Sequence, residues 1–104
     1  MLDTNGYIKI IDFGLARALP SENDIAKTIC GTTCYIAPEV LSGKGYDKTV
    51  DWWSIGIILY EMLFGFTPFM DSNKLKVMEN IKNKKLQFPS KASIQHSEPA
   101  RDLI

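Results

Sequence analysis

The stretch IKIIDFGLAR, residues 8–17, decides how the rest of the chain is interpreted. Its isoleucines are β-branched and predict a strand. An acid, an aromatic residue and a glycine follow directly as Asp12, Phe13 and Gly14. The acid therefore stands where a strand is expected to end, a position that presents a carboxylate from a rigid support.

A tight turn is predicted just before this strand. Asn5 and Gly6 supply the positive φ angles that a two-residue hairpin connection requires. We expect a hairpin whose second strand covers residues 7–11, with only Met1 and Leu2 left of the first. That first strand is too short to pair well.

A long loop is predicted over residues 18–48. It has no sustained period of 2 or 3.6, and prolines and glycines interrupt it at Pro20, Gly31, Pro38, Gly43 and Gly45. Connections of this length are uncommon in compact domains and usually indicate function or disorder.

Three helices are predicted further along the chain. The segment KTVDWWSIGIILYEMLFG, residues 48–65, is apolar nearly all round, which predicts a helix buried on every side and ended by Gly65. An amphipathic helix follows over residues 74–82, with Asp71 or Ser72 as its cap.

The third helix starts within SEPARDLI, residues 97–104, with Ser97 as cap and Pro99 in its first turn. It runs to the last residue, as the first strand begins at the first. Both features lead us to expect a piece of a larger domain.

Composition excludes some classes of function. The 104 residues carry 12 Lys and Arg against 12 Asp and Glu, so a net charge of zero gives no reason to expect nucleic acid or an anionic membrane as a partner. The most apolar region, residues 50–70, is interrupted by Asp51 and Glu61 and lacks the roughly 20 clean residues of a membrane span.

The cysteines favour a cytoplasmic location. Cys30 and Cys34 are too few for a secreted disulfide framework, and the N-terminus lacks the layout of a signal peptide. They are spaced like half of a metal site, but His96 stands alone far away, so zinc is not expected.

Three motifs, in order, carry a resemblance to a known family. IDFG at residues 11–14, YIAPE at 35–39 and DWWSIG at 51–56 closely resemble the C-terminal lobe of eukaryotic protein kinases, over essentially the whole chain. TICGTTCYIAPEVL, DWW and ARDLI are most similar to the subfamily of cyclic-nucleotide-dependent, lipid-activated and ribosomal-S6-type kinases. The chain departs from that pattern at Thr33 and Cys34, where Pro and an acid are usual.

The resemblance implies a fold class and a domain description. We expect a protein-kinase-like (α+β) C-lobe fragment, mainly α with a short N-terminal β-hairpin. Residues 1–104 would form a partial kinase domain: hairpin, activation segment, central buried helix, following helix and the start of a late helix.

The resemblance assigns the first motif to ATP and Mg²⁺. Asp12 is the expected magnesium ligand, because a hard cation prefers carboxylate oxygen. Gly14 belongs to the same nucleotide site and lets the backbone turn, and Phe13 is expected to pack into the core. The alternative for Asp12 is an ordinary turn aspartate.

The resemblance makes Thr28 the expected activation phosphosite, with Arg17 helping to hold its phosphate and an upstream kinase as partner. An unmodified loop threonine is the alternative. Thr32 matches the residue that in relatives contacts the catalytic aspartate and lysine and helps select Ser/Thr hydroxyls of protein substrates.

Glu39 and Asp51 resemble catalytic acids but have architectural roles in the family. The first pairs with an arginine of a later helix, and the second anchors the catalytic loop from the start of the central helix, where the helix dipole favours an acid.

Several signatures of the family are absent from the sequence: the glycine-rich loop, the VAIK lysine, the helix-C glutamate and the HRD catalytic loop. We therefore expect a fragment of a Ser/Thr protein kinase that is inactive alone. The alternatives are a pseudokinase or truncated product acting as a protein-binding module, or a complete small structural domain.

Overall fold

The structure is a computed structural model that describes residues 1–19, 21, 24–89 and 97–104. Pro20 of the predicted loop and His96 lie outside the described residues. The described part contains 3-10 turns at Phe13–Leu15 and Thr33–Tyr35 and α-helices α1 (Pro38–Ser42), α2 (Val50–Phe64), α3 (Lys74–Asn83) and α4 (Glu98–Leu103). The expected mainly helical content is observed.

The N-terminal segment forms a turn but no strand in the described residues. Gly6 has a φ of 83°, and its N–H donates to the carbonyl of Asp3 at 3.0 Å. Pairing is limited to one antiparallel bridge between Leu2 and Ile8. The predicted strand over residues 7–11 is therefore reduced to this bridge, because the two residues of the first strand are too few to pair with all five residues of the second. Ile10 is left 82% exposed.

Helix α2 ends where the sequence predicts. Gly65 takes a left-handed φ of 81°, and its N–H donates to the carbonyl of Glu61 at 2.7 Å. A Cβ would be strained in this left-handed conformation, and glycine has none, which is why a glycine ends the helix. No helix among the described ranges is both long and apolar enough to cross a bilayer.

The cap of α3 differs from the prediction. Its first helical residue is Lys74, so Asn73 occupies the N-cap and its Oδ1 accepts a hydrogen bond from the N–H of Leu75 at 2.9 Å. Asp71 lies two residues earlier, and its Oδ1 accepts a hydrogen bond from the N–H of Asn73 at 3.0 Å. The predicted cap, Asp71 or Ser72, is wrong because the helix begins later. In α4 the predicted cap Ser97 is observed.

The expected burial of α2 on every side is wrong for the described residues. Ile57 and Tyr60 are buried, whereas Trp52 and Met62 are 73% and 75% exposed. At about 100° per residue, the two pairs point to opposite sides of the helix. The described chain covers one side of α2 only.

The core lies on the buried side of α2 and has two neighbouring clusters. One joins α2 to α3 and the segment between them, and consists of Ile57, Phe69, Val77 and Ile81. The other surrounds the start of α1 and consists of Ile36, Ala37 and Val40. Trp53 packs against both clusters and stacks on Phe69 with ring centroids 5.8 Å apart.

An aromatic group ties the end of α2 to the C-terminal segments. Tyr60 is buried, and its hydroxyl donates to the carbonyl of Gln87 at 2.9 Å. The centroid of the Phe88 ring lies 5.9 Å from that of the Tyr60 ring. The guanidinium of Arg101 in α4 lies over the Phe88 ring, 4.6 Å from its centroid. This cation–π contact holds α4 against the aromatic group.

Candidate functional site

Three of the predicted site residues line one cavity. Its volume is about 440 Å³, and Arg17, Thr32 and Asp51 all contribute to its wall. They come from three parts of the sequence: the segment after the first 3-10 turn, the residue before the second, and the first turn of α2. The fold therefore brings together residues that are up to 34 positions apart in sequence.

A hydrogen bond fixes the position of Asp51 relative to the Thr33–Tyr35 turn. Ser54, one turn further along α2, donates from Oγ to the carbonyl of Tyr35 at 3.0 Å. Asp51 itself is exposed in the first turn of α2, where the helix dipole stabilises a carboxylate. An acid is thus held at a fixed place on the cavity wall.

Thr32 presents an available hydroxyl. It occupies the residue before the second 3-10 turn, and its carbonyl accepts from the N–H of Tyr35 at 3.0 Å. Its side chain makes no capping hydrogen bond to that turn and is exposed. Its backbone is thus used by the turn, whereas its side chain is not.

Asp12 has an unusual backbone conformation. Its φ of 62° and ψ of 72° make it the one non-glycine residue with a positive φ among the described residues. Its Oδ1 accepts from the N–H of Gly14 at 3.3 Å. Left-handed residues other than glycine are uncommon and cluster at functional sites.

Gly14 contributes by its lack of a side chain. The left-handed residue of this turn is Asp12, and a Cβ at Gly14 would lie 3.2 Å from Oδ1 of Asp12. The expectation that Gly14 provides backbone freedom is therefore wrong. Gly14 instead leaves room for the carboxylate of Asp12.

The donor set at Asp12 fits a magnesium ion in part. The side chain is exposed and supplies the carboxylate oxygens that Mg²⁺ prefers. The described residues contain no group of three His, Cys, Asp or Glu side chains placed to hold a metal. Asp12 can therefore supply one corner of an oxygen site, and the remaining ligands must come from phosphates, water or other protein segments.

Phe13 does not pack in the core of the described structure. It is 68% exposed, against the expectation that it is buried. The physical reason is that both buried clusters are built from residues between Cys34 and Leu86, so no cluster includes a residue of the N-terminal segment that could cover Phe13.

Thr28 and Glu39 lie outside the cavity. Thr28 is exposed, and its carbonyl accepts a hydrogen bond from the Tyr46 hydroxyl at 2.5 Å. No hydrogen bond joins it to Arg17 within the described chain. Glu39 is exposed in the first turn of α1 and forms no ion pair with any described residue, so the arginine partner implied by the resemblance is not observed.

A second cavity contains residues that sequence reasoning missed. It has a volume of about 680 Å³. Besides Thr32 and Cys34, which were considered from the sequence, its lining residues include Glu61, Asp71 and Lys74, which were given no role in a site. Glu61 accepts a hydrogen bond from the Tyr35 hydroxyl at 2.7 Å, and this bond raises the pKa of Tyr35 to about 12. The sequence offered one signal for Glu61: an acidic residue inside an otherwise apolar helix usually has a hydrogen-bond partner or a function.

The thiols flank the two cavities. Cys30 lines the first and Cys34 the second, and both are free. Burial raises the pKa of the Cys34 thiol. Raised pKa values leave less thiolate at neutral pH and lower the reactivity of a cysteine.

Comparison with known proteins identifies similar sequences along the full length. A model of the protein kinase domain matches residues 1–104. The chain is 57% identical over 89 residues to cAMP-dependent protein kinase type 3 of Saccharomyces cerevisiae, covering 86% of this chain and 22% of that protein.

Two further relatives are matched over all of this chain. It is 47% identical over 104 residues to serine/threonine-protein kinase Sgk1-B of Xenopus laevis, covering 23% of that protein. It is 45% identical over 104 residues to serine/threonine protein kinase ypkA of Aspergillus fumigatus, covering 16% of that protein. The chain thus spans about a fifth of the length of these relatives.

Proposed function

Because the chain belongs to the protein kinase domain family, we propose that the protein transfers the γ-phosphoryl group of ATP to Ser and Thr hydroxyls of protein substrates. The family assignment confirms the resemblance drawn from the three motifs. The observation that carries the proposal is the cavity that gathers Arg17, Thr32 and Asp51 beside the turn of Asp12.

The cavity is the proposed seat of a catalytic loop supplied by another part of the kinase domain. Asp51 would hold that loop through its backbone N–H groups, and the Thr32 hydroxyl would contact its aspartate and lysine. Both side chains line the cavity, and Thr32 makes no capping bond that would compete. Residues 1–104 are accordingly proposed as a partial kinase domain, in which the remaining segments complete the N-terminal hairpin and pack against Phe13.

Asp12 is the proposed ligand of the Mg²⁺ that accompanies ATP. Bound Mg²⁺ neutralises charge on the phosphates during phosphoryl transfer. The left-handed backbone and the small Gly14 support this role, because they hold an exposed carboxylate in one orientation without crowding it.

Thr28 is the proposed regulatory phosphosite, with an upstream kinase as its partner. Its side chain is exposed, so a second enzyme can reach it. Arg17 is proposed to bind the phosphate, since a phosphate adds about −1.5 to −2 charges that pair with arginine. The proposed compartment is the cytosol, where cysteines such as Cys30 and Cys34 stay reduced.

The test of the function is Asp12→Asn in the longer protein of which this segment is proposed to be part. We expect phosphotransfer to a Ser/Thr peptide to fall by at least about 100-fold, because the amide keeps the size of the side chain but loses the charge that Mg²⁺ requires. The measurement is the rate of phosphate incorporation, with the thermal melt as a check on folding.

Asp102→Asn is the matched control, because it removes the same charge from an exposed site in α4. It should leave the rate unchanged. Near wild-type turnover of the Asp12→Asn protein would remove the metal assignment, and an inactive wild-type protein would favour the alternative of a protein-binding module.

A further inference from the structure

Tyr46 holds the backbone on both sides of Lys27. Its N–H donates to the carbonyl of Ala26 at 2.9 Å, and the N–H of Ala26 donates to its carbonyl at 2.8 Å, which forms an isolated antiparallel bridge. Its hydroxyl donates to the carbonyl of Thr28 at 2.5 Å. One residue between α1 and α2 therefore makes three hydrogen bonds to the segment that carries Thr28.

The neighbouring glycine allows this close approach. Gly45 has a φ of 105°, and a Cβ on it would lie 3.1 Å from Cδ1 of Ile25 and 3.4 Å from the carbonyl oxygen of Ala26. A side chain here would meet both a strained backbone conformation and the opposing segment. The Gly45–Tyr46 pair is thus shaped to receive residues 25–28.

One residue of the held segment is buried and its neighbours are exposed. Ala26 is buried at the bridge, whereas Lys27 and Thr28 are exposed. The anchoring contacts use backbone atoms of Ala26 and Thr28 and leave the Thr28 side chain free of them. The segment is therefore held in place without any use of the Thr28 hydroxyl.

We propose that Tyr46 is a positioning residue, which holds the Thr28 segment extended and accessible to a modifying kinase. Its hydrogen bonds hold the segment without any contribution from a phosphate on Thr28. Unlike a flexible loop that is ordered only by its phosphate, this segment is already in place when the enzyme reaches it. The inference rests on the proposed function in one respect, namely that Thr28 is the phosphate acceptor.

The experiment is limited trypsin digestion of the purified 104-residue chain and of its Tyr46→Phe variant, with the products followed by mass spectrometry. Trypsin cleaves after Lys27, inside the held segment. The variant keeps the ring and the backbone bridge and loses the hydroxyl bond to Thr28. We expect cleavage after Lys27 to accelerate about two- to tenfold, the change in a local opening equilibrium that one hydrogen bond produces.

Cleavage after Lys76, within α3, serves as the internal reference for global unfolding. It should not change in the variant. Equal acceleration at Lys27 and Lys76 would show that Tyr46 supports the whole fold and would overturn the proposal, as would unchanged cleavage at Lys27.

Two further variants complete the test. Tyr7→Phe makes the same chemical change at an exposed tyrosine and should leave both rates unchanged. Gly45→Ala should accelerate cleavage at Lys27 at least as much as Tyr46→Phe, because it disturbs the bridge itself. Trypsin reports the held segment whether or not Thr28 is ever phosphorylated, so failure here and failure of the proposed kinase function are separate results.

Discussion

At the scale of single residues, the clearest electrostatic feature is the pair formed by Tyr35 and Glu61. The hydroxyl donates to the carboxylate at 2.7 Å, and this bond, with a smaller contribution from burial, raises the pKa of Tyr35 to about 12. Ionising the tyrosine would place two negative charges in contact. The pair therefore ties the Thr33–Tyr35 turn to α2 only while the phenol stays protonated.

This pair predicts a dependence of stability on pH. The pKa of Tyr35 is about 10 in the unfolded chain and about 12 in the folded protein. The Tyr35–Glu61 bond therefore stabilises the fold fully below about pH 10, and this stabilisation declines as the pH rises from about 10 to about 12. Removing the charge with Glu61→Gln should lower the pKa of Tyr35 and remove this decline. Urea unfolding at a series of pH values measures the difference between the two proteins.

Glu98→Gln is the matched control, because it neutralises an exposed glutamate of α4. The pKa of Tyr60 is also raised, by burial, but every variant retains Tyr60, so its contribution cancels in the comparison. The pKa of Cys34 is raised mainly by burial and in part by the charge of Glu61, so all the proteins compared carry Cys34→Ser. Parallel pH profiles for wild type and Glu61→Gln would contradict the assigned origin of the shift.

At the scale of elements, α2 is apolar in sequence on almost every side but is covered on one. Adjacent isoleucines illustrate the asymmetry: Ile57 is 5% exposed and belongs to the main cluster, whereas Ile58 is 45% exposed. Hydrophobicity alone does not distinguish them. Their different environments come from the Thr33–Tyr35 turn, which packs against α2, and from Phe69, Val77 and Ile81, which form a buried cluster with Ile57.

The two isoleucines provide a matched pair of substitutions. Ile57→Val should lower the free energy of unfolding by about 0.5–1.5 kcal/mol, because it removes a buried methylene and leaves a small cavity. Ile58→Val makes the same change and keeps the β-branched character of the side chain, but at a half-exposed site, so we expect a clearly smaller loss. Urea denaturation measures both, and equal losses would contradict the orientation of α2.

At the scale of the whole molecule, much apolar surface remains exposed. Large hydrophobic side chains are more than half exposed in the N-terminal segment and on the open side of α2, including Ile8, Ile10, Phe13, Trp52 and Met62. Soluble monomers rarely expose extended apolar patches unless those patches bind something. The described surface therefore has the character of an interface.

This surface predicts association of the 104-residue chain with itself. We expect binding of a hydrophobic fluorescent dye, and a sedimentation coefficient that rises with protein concentration. Replacing Trp52 and Met62 together by Glu should lower both signals, because the charges interrupt the open side of α2. A monomeric wild-type chain that binds no dye would show that this surface is covered in solution.

The same doubly substituted protein should keep the thermal melt of the wild type, because neither side chain contributes to the buried clusters. Replacing Lys74 and Lys76 by Glu is the control. It adds the same number of acids to α3, away from the open side of α2, and should leave dye binding unchanged.

Local sequence signals predicted the elements well where the cause is local. The ends of α2 at Gly65 and of α4 at Ser97 follow from backbone conformation and capping, which involve only neighbouring residues. The N-cap at Asn73 was missed because Asp71, Ser72 and Asn73 are all good capping residues, and only the position of the first helical residue selects among them. The strand predicted over residues 7–11 is not observed, because a strand needs a partner along its length and only Leu2 pairs with this segment among the described residues.

The family, helices α2, α3 and α4 and the residues on which the proposed chemistry depends follow from local sequence, because the motifs around Asp12, Glu39 and Asp51 and the helix signals lie in consecutive residues. Helix α1 falls in the segment that was predicted as a loop. Which of these residues meet depends on how distant segments pack. The tertiary structure placed Arg17, Thr32 and Asp51 around one cavity, paired Tyr35 with Glu61, attached Tyr46 to the Thr28 segment, and left one side of α2 open. These outcomes depend on contacts between residues distant in the chain, and the geometry of such contacts is set by packing rather than by local preference.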